Sequence, residues 1–237
     1  MTLLVRDLRA CYGKSEVLHG VRLEVAPGEI VALLGRNGAG RSTCAKAIMG
    51  LLPASGSVSW RGQPLLGRPA HEIARLGLGY VPESRDVFPR LTVRQNLLLG
   101  EKQGANQGAA GRALWRMQDM FELFAPLKAR ERTEAGVLSG GEQQMLTLCR
   151  TLMGNPDLLL VDEPTEGLSP LMAQQVGRCL QMLQARGLGI LLIEQKLSIA
   201  LRIATRALVM GQGRIVFEGT PQALHADEKT WREWLLV

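Results

Sequence analysis

Apolar and polar residues alternate over residues 3–9 and again over residues 17–25, where Leu18, Val21, Leu23 and Val25 carry the apolar positions. A period of two marks strands with one face in a core and the other in water. The spacing therefore predicts an antiparallel pair, with Tyr12-Gly13 between its strands. The alternation then gives way to unbroken apolar runs at 30–34, 158–161 and 190–193. Runs of this kind suit strands covered on both faces. Helical spacing fills 43–50 and 138–154, and also 91–127 apart from a glycine-dotted stretch, 100–111, expected to be a mobile surface loop. Pro27-Gly28 turns the chain into the first buried run, and 53–56 is a second turn. Residues 57–65, with Trp60 and a break at Gly62, read as a hairpin, and 77–82 as a short strand ending at Glu83. A last hairpin, 207–210 with 214–217 about Gly211-Gln212-Gly213, precedes a tail helix holding Trp231 and Trp234. Buried strands alternating with helices predict an α/β fold around a mostly parallel sheet.

At 237 residues the chain has room for one sizeable core, or a core with an inserted subdomain. No apolar run reaches the roughly 18 residues of a membrane span, and a basic-then-apolar leader is missing from the first residues. The expectation is a protein made and kept in the cytosol. Cys11, Cys44, Cys149 and Cys179 form no C-x-x-C pair and lie in or beside apolar segments, so they are expected to be buried free thiols. A formal charge of +6 admits nucleic acid, an anionic membrane face or nucleotide phosphates as partners. With only 4% aromatic residues and no block of like charge, a nucleic-acid surface is not expected.

The first buried run leads into Gly35-Arg36-Asn37-Gly38-Ala39-Gly40-Arg41-Ser42-Thr43. Three glycines let backbone N–H groups crowd around an anion, and the following helix points its unpaired N–H groups at the same spot. The plain alternative is a glycine-rich turn between strand and helix. The spacing, however, is that of a phosphate loop, with Arg41 where lysine is expected. Asp162-Glu163 closes the run 158–161. In a parallel sheet ligands gather at the carboxyl ends of the strands, so these acids are expected to share an edge with the phosphate loop. A nucleoside triphosphate brings Mg²⁺, which wants oxygen ligands. Ser42 and Asp162 would supply one direct and one water-mediated contact, and Glu163 could polarise an attacking water. A third signal is Leu138-Ser139-Gly140-Gly141-Glu142, where Ser139 and Glu142 stand at capping-box spacing and two glycines leave the helix start bare. A single compact domain cannot easily aim both helix starts at one terminal phosphate. Two copies facing head to tail can.

Phosphate loop, Leu138-to-Glu142 signature and Asp162-Glu163, in that order, resemble the ATPase subunit of ATP-binding cassette transporters over nearly the whole chain. The resemblance implies a P-loop NTPase-type, mostly parallel sheet with an antiparallel β subdomain. It also implies one domain over 1–237, with a helical subdomain at about 91–154 carrying the signature. Its implied ligands are ATP and Mg²⁺. Tyr12 matches the aromatic that stacks on adenine; a plain strand-edge tyrosine is the other reading. Glu166-Gly167-Leu168-Ser169-Pro170 matches a loop that touches the opposite subunit, or is simply the start of a helix.

Three positions depart from the common pattern of that family. Glu83 replaces a glutamine that senses Mg²⁺, and a carboxylate can still bind the metal. Gln195 replaces the switch histidine; it can bond a phosphate oxygen but carries no positive charge. Both replacements resemble the smaller ATPase of branched-chain amino acid importers, with urea and amide importers as close relatives. Arg41 keeps the charge on a bulkier planar fork. The implied partners are membrane-spanning permease subunits, a second cassette (the same or different) and, indirectly, a periplasmic binding protein. The implied location is the cytoplasmic face of the inner membrane. An exporter ATPase and a weakly hydrolysing nucleotide-gated module are the alternatives.

Overall fold

The computed structural model describes residues 2–101 and 114–236. The expected loop at 100–111 lies outside them, save for Gly100, the last residue of a helix, and Glu101.

A six-stranded sheet is ordered β10-β9-β3-β8-β7-β6. It consists of β3 (Ile30–Leu34), β6 (Leu78–Val81), β7 (Leu158–Asp162), β8 (Gly189–Glu194), β9 (Arg206–Gly211) and β10 (Arg214–Gly219). All neighbours pair in parallel except β10, which runs antiparallel to β9. The unbroken apolar runs now have a physical reason. Ile30, Ala32 and Leu34 face one core, while Val31 and Leu33 face a second. Likewise Leu159 and Val161 oppose Leu158 and Leu160 across β7, and Ile190 and Leu192 oppose Leu191 and Ile193 across β8. Both faces are dry, so period two vanishes from the sequence although it persists in space.

One core lies under helices α3 (Val93–Gly100), α4 (Met117–Leu123), α5 (Ala125–Ala129), α6 (Gly140–Met153), α7 (Pro170–Ala185) and α8 (Leu197–Ile203). The other lies between the large sheet, helix α1 (Arg41–Ile48) and an antiparallel sheet ordered β2-β1-β4-β5. That sheet holds β1 (Leu3–Tyr12), β2 (Ser15–Val25), β4 (Ala54–Trp60) and β5 (Gln63–Pro64). Leu3, Val5, Leu8 and Ala10 of β1 all reach this core. They do so because the register slips between Val5 and Leu8, with Asp7 at φ +48° absorbing the extra residue as a bulge.

Three expectations need correction. The turn expected at 53–56 is largely strand: β4 begins at Ala54, because Ala54 and Ser55 pair with Ala10 and Arg9 of β1. The tail is not one helix: α9 (Pro221–Ala226), α10 (Glu228–Thr230) and a π turn (Trp231–Leu235) follow one another, because Asp227 leaves helical geometry at φ −88°, ψ 78° and caps Thr230. Trp234 then packs on Gly211, where any β-carbon would collide with the indole ring. Cys11 is exposed rather than buried, since it lies on the wet side of β1; Cys44, Cys149 and Cys179 are buried and free as expected. A short helix, α2 (Ala70–Arg75), has no counterpart in the sequence pattern and buries only Ile73.

Candidate functional site

The carboxyl ends of β3, β8, β7 and β6 lie side by side on one edge of the sheet. The chain leaves β3 through Gly35, whose φ of +152° and closeness to the Met210 carbonyl oxygen leave no room for a β-carbon. Gly40, at φ +103°, turns the loop into α1. Between them the backbone wraps one wall of a cleft of ≈ 490 Å³. Asn37, Gly38, Gly40, Arg41, Ser42 and Thr43 line that wall, and Glu83, Glu163, Glu166 and Gln195 line the other side.

The side chains across the cleft are already engaged. Ser42 donates its hydroxyl to Asp162 at 2.9 Å, and Tyr80 donates to the other oxygen of Asp162 at 3.2 Å. Asp162 is 1% exposed. Burial pushes its carboxyl above the ordinary range, the two hydroxyls pull it down, and Glu83 pushes it up again. Glu163 is raised for the same first reason, although the charge of Arg41 opposes the shift. Arg41 donates to Glu163 at 2.6 Å, and the same nitrogen lies 3.2 Å from the Asn37 side-chain oxygen. Its other terminal nitrogen, Nη1, is buried and has no partner among the described residues. A buried donor next to an open cleft can receive an oxygen ligand.

Among the described residues no three His, Cys, Asp or Glu side chains are grouped as a metal cage. A Mg²⁺ ion brought by a nucleotide needs only one or two protein oxygens, with phosphate and water completing its shell. Ser42 and the buried Asp162 carry oxygens that could hold it, with Glu83 exposed on the lip of the cleft.

Other expected residues lie apart from the cleft. Tyr12 ends β1 and is half exposed, outside the cleft lining. Arg36 turns away, donating to the Leu236 carbonyl, and with Ala39 it borders a separate hollow closed by Glu233 and Trp234. Ser139 caps α6 as expected: it accepts from the Glu142 amide at 3.3 Å, while the Glu142 carboxylate accepts from the Ser139 amide at 2.8 Å. Ser139, Gly140 and Gly141 do not line the cleft. The Arg85 guanidinium covers Gly140 instead and donates to the Glu166 carbonyl at 3.1 Å. Sequence reasoning missed Tyr80, Arg85 and the buried Glu194. Nothing in local spacing marks them, because each acts on a residue far along the chain.

A sequence model described as ABC transporter matches residues 18–166. The chain belongs to the ABC transporter family. As an ABC cassette it binds and hydrolyses ATP, works as a pair and serves membrane-spanning permease partners. Among the described residues, no helix is long and apolar enough to cross a membrane. The high-affinity branched-chain amino acid transport ATP-binding protein BraG of Pseudomonas aeruginosa is 43% identical, over 92% of each chain. A probable branched-chain amino acid transport ATP-binding protein, LivF of Archaeoglobus fulgidus, is 35% identical over 94% of this chain and 93% of its own. The Nod factor export ATP-binding protein I of Burkholderia orbicola is 38% identical over 94% of this chain and 72% of its own. Among solved structures, the ADP conformation of an ABC transporter cassette superposes with a TM-score of 0.83, at 27% identity over 98% of both chains.

Proposed function

We propose that this ATPase powers import of branched-chain and other hydrophobic amino acids, at the cytoplasmic face of the inner membrane. Its partners are two permease subunits and a second cassette, identical or different, with solute delivered by a periplasmic binding protein. The observation that carries the reading is the match to the branched-chain relative from Pseudomonas over 92% of both chains. Exposed Phe88, Leu98, Leu99 and Val137, on segments beyond Glu83, support an apolar docking face for the permease. The export relatives match less of their own length, which favours import.

In this reading residues 1–237 form one cassette, and 91–154 form its helical subdomain. Gly35 to Thr43 cradle the triphosphate through backbone N–H groups, and the free Nη1 of Arg41 meets an oxygen of the terminal phosphate. Ser42, Asp162 and Glu83 hold Mg²⁺, which screens phosphate charge when bound. Glu163 orients and deprotonates the attacking water, and Gln195 donates to a phosphate oxygen. Tyr12 stacks on adenine. Ser139, Gly140 and Gly141 meet the triphosphate bound by the opposite cassette, which accounts for their distance from this chain's own cleft.

The test is reconstitution with the permease and partner cassette in vesicles, followed by uptake of labelled leucine, urea and a short amide. ATP-driven leucine uptake that is lost in Glu163→Gln is expected. ATP-dependent uptake of urea or the amide alone, or efflux, overturns the assignment.

A further inference from the structure

Glu194, the last residue of β8, is a 1% exposed carboxylate with no part in the nucleotide chemistry above. One of its oxygens accepts from the Thr165 amide at 3.1 Å and from the Thr165 hydroxyl at 2.6 Å. The other accepts from the Lys196 amide at 3.3 Å. Lys196 reaches back as well, its ammonium lying 3.4 Å from the Thr165 carbonyl and 3.6 Å from the Glu166 carboxylate. The Glu163 amide donates to the Ile193 carbonyl at 2.9 Å. Residues 163–166 therefore hang on residues 193–196 at several points, with Gln195 in the middle of the support.

The supported loop needs holding. Glu163 stands at φ +44°, a conformation a side-chain-bearing residue keeps only when its surroundings impose it. We propose that Glu194 is a positioning residue, a buried clamp that makes Glu163 and Gln195 one rigid unit facing the same point of the cleft. The carboxylate is required because three donors converge on two oxygens. An amide offers one acceptor oxygen and would turn an NH₂ group toward a donor. Burying the acid without those bonds would be costly, and among the described residues Glu194 carries no ion pair.

The rate consequence rests on the proposed role of Glu163, but the clamp itself does not. The experiment therefore has two arms on the full chain. In the first, amide hydrogen exchange is measured on the nucleotide-free protein. Glu194→Gln is expected to speed exchange at Thr165 and Glu166 by about tenfold, as expected for one lost buried bond, while Ile190 to Ile193 stay protected. Thr165→Ser, which keeps both donors, is expected to match the parent. In the second arm, Glu194→Gln in the assembled transporter is expected to lower kcat by roughly ten- to a hundredfold with little change in KM for Mg-ATP. Unchanged exchange at Thr165, or exchange rising throughout β8, overturns the clamp. A normal kcat with faster exchange at Thr165 overturns its positioning role. A parent chain that never hydrolyses ATP overturns the proposed role of Glu163 and leaves the exchange arm to judge the clamp.

Discussion

The Arg41 guanidinium donates to the Glu163 carboxylate at 2.6 Å, with the two side chains only 4% and 10% exposed. The residue that should meet the terminal phosphate is thus already turned toward the residue that should activate water. Its fork is rigid, so the position of one nitrogen fixes that of the other. A lysine would bring a single pivoting charge and release Glu163 more freely. Arg41→Lys is accordingly expected to raise turnover, by up to about a hundredfold if the fork misplaces the phosphate by an ångström. Phosphate release from the assembled transporter at saturating Mg-ATP measures it, and equal or slower release in the lysine variant refutes it.

What could be read ahead of the structure follows from the range of the interactions involved. The phosphate loop and the Ser139 capping box are local: their glycines and caps sit within a few residues of what they serve, so spacing alone exposes them. The buried strands were legible as apolar runs, since two dry faces demand apolar residues on both. The Arg41–Glu163 pair spans 122 positions and Thr165–Glu194 spans 29. Both exist only because β3, β8 and β7 lie in that order, which no local pattern encodes. The exposed Cys11 was misread for a related reason: an irregular register in β1 shifts which residues face water.

Asp162 makes stability depend on pH. Burial raises its carboxyl in the folded chain, so between the ordinary carboxylate range and that raised value the folded state binds more protons than the unfolded one. The contribution is present in full below the unfolded pKa and is lost as pH rises through the folded one. Asp162→Asn removes that loss while keeping an oxygen for one of the two hydroxyls. In the nucleotide-free chain it is expected to raise Tm at neutral pH, with the gain shrinking as pH falls from the raised folded value toward the ordinary carboxylate range and gone below about 4. Thermal unfolding of both proteins across pH tests this, and a gain that grows toward acid contradicts it.

The thiols separate cleanly by burial. Desolvation pushes Cys44 and Cys179 up to about 12, and raises Cys149 well above the usual thiol range. Thiols held protonated and out of water do not attack reagents. Titration of the native chain with a thiol reagent is therefore expected to show one fast group, Cys11, that disappears in Cys11→Ser. The full set of four should react only on unfolding. Two or more fast thiols in the native chain would contradict this burial pattern.

Arg85 ties the start of α6 to the loop after Asp162. Its guanidinium lies where a β-carbon on Gly140 would stand, and its backbone carbonyl accepts from Thr147 of α6. Arg85 and Asp86 both occupy the left-handed region, at φ +65° and +36°, so the segment is held against its own preference by these bonds. Because Arg85 does not line the cleft, Arg85→Ala is expected to leave ATP affinity of the isolated chain unchanged. It is expected to slow turnover of the assembled transporter by about tenfold, as expected for one lost charged bond. Gly140→Ala pushes the arginine tip aside and should produce part of the same defect. Because Gly140 also meets the opposite cassette's triphosphate in the proposed assembly, the cycle is read on Tm of the isolated, nucleotide-free chain. If both act through one contact there, the double variant is no less stable than the more impaired single variant, because their effects cannot add. Additive losses of Tm would mean that Gly140 acts independently of Arg85, and the proposed tie would fail.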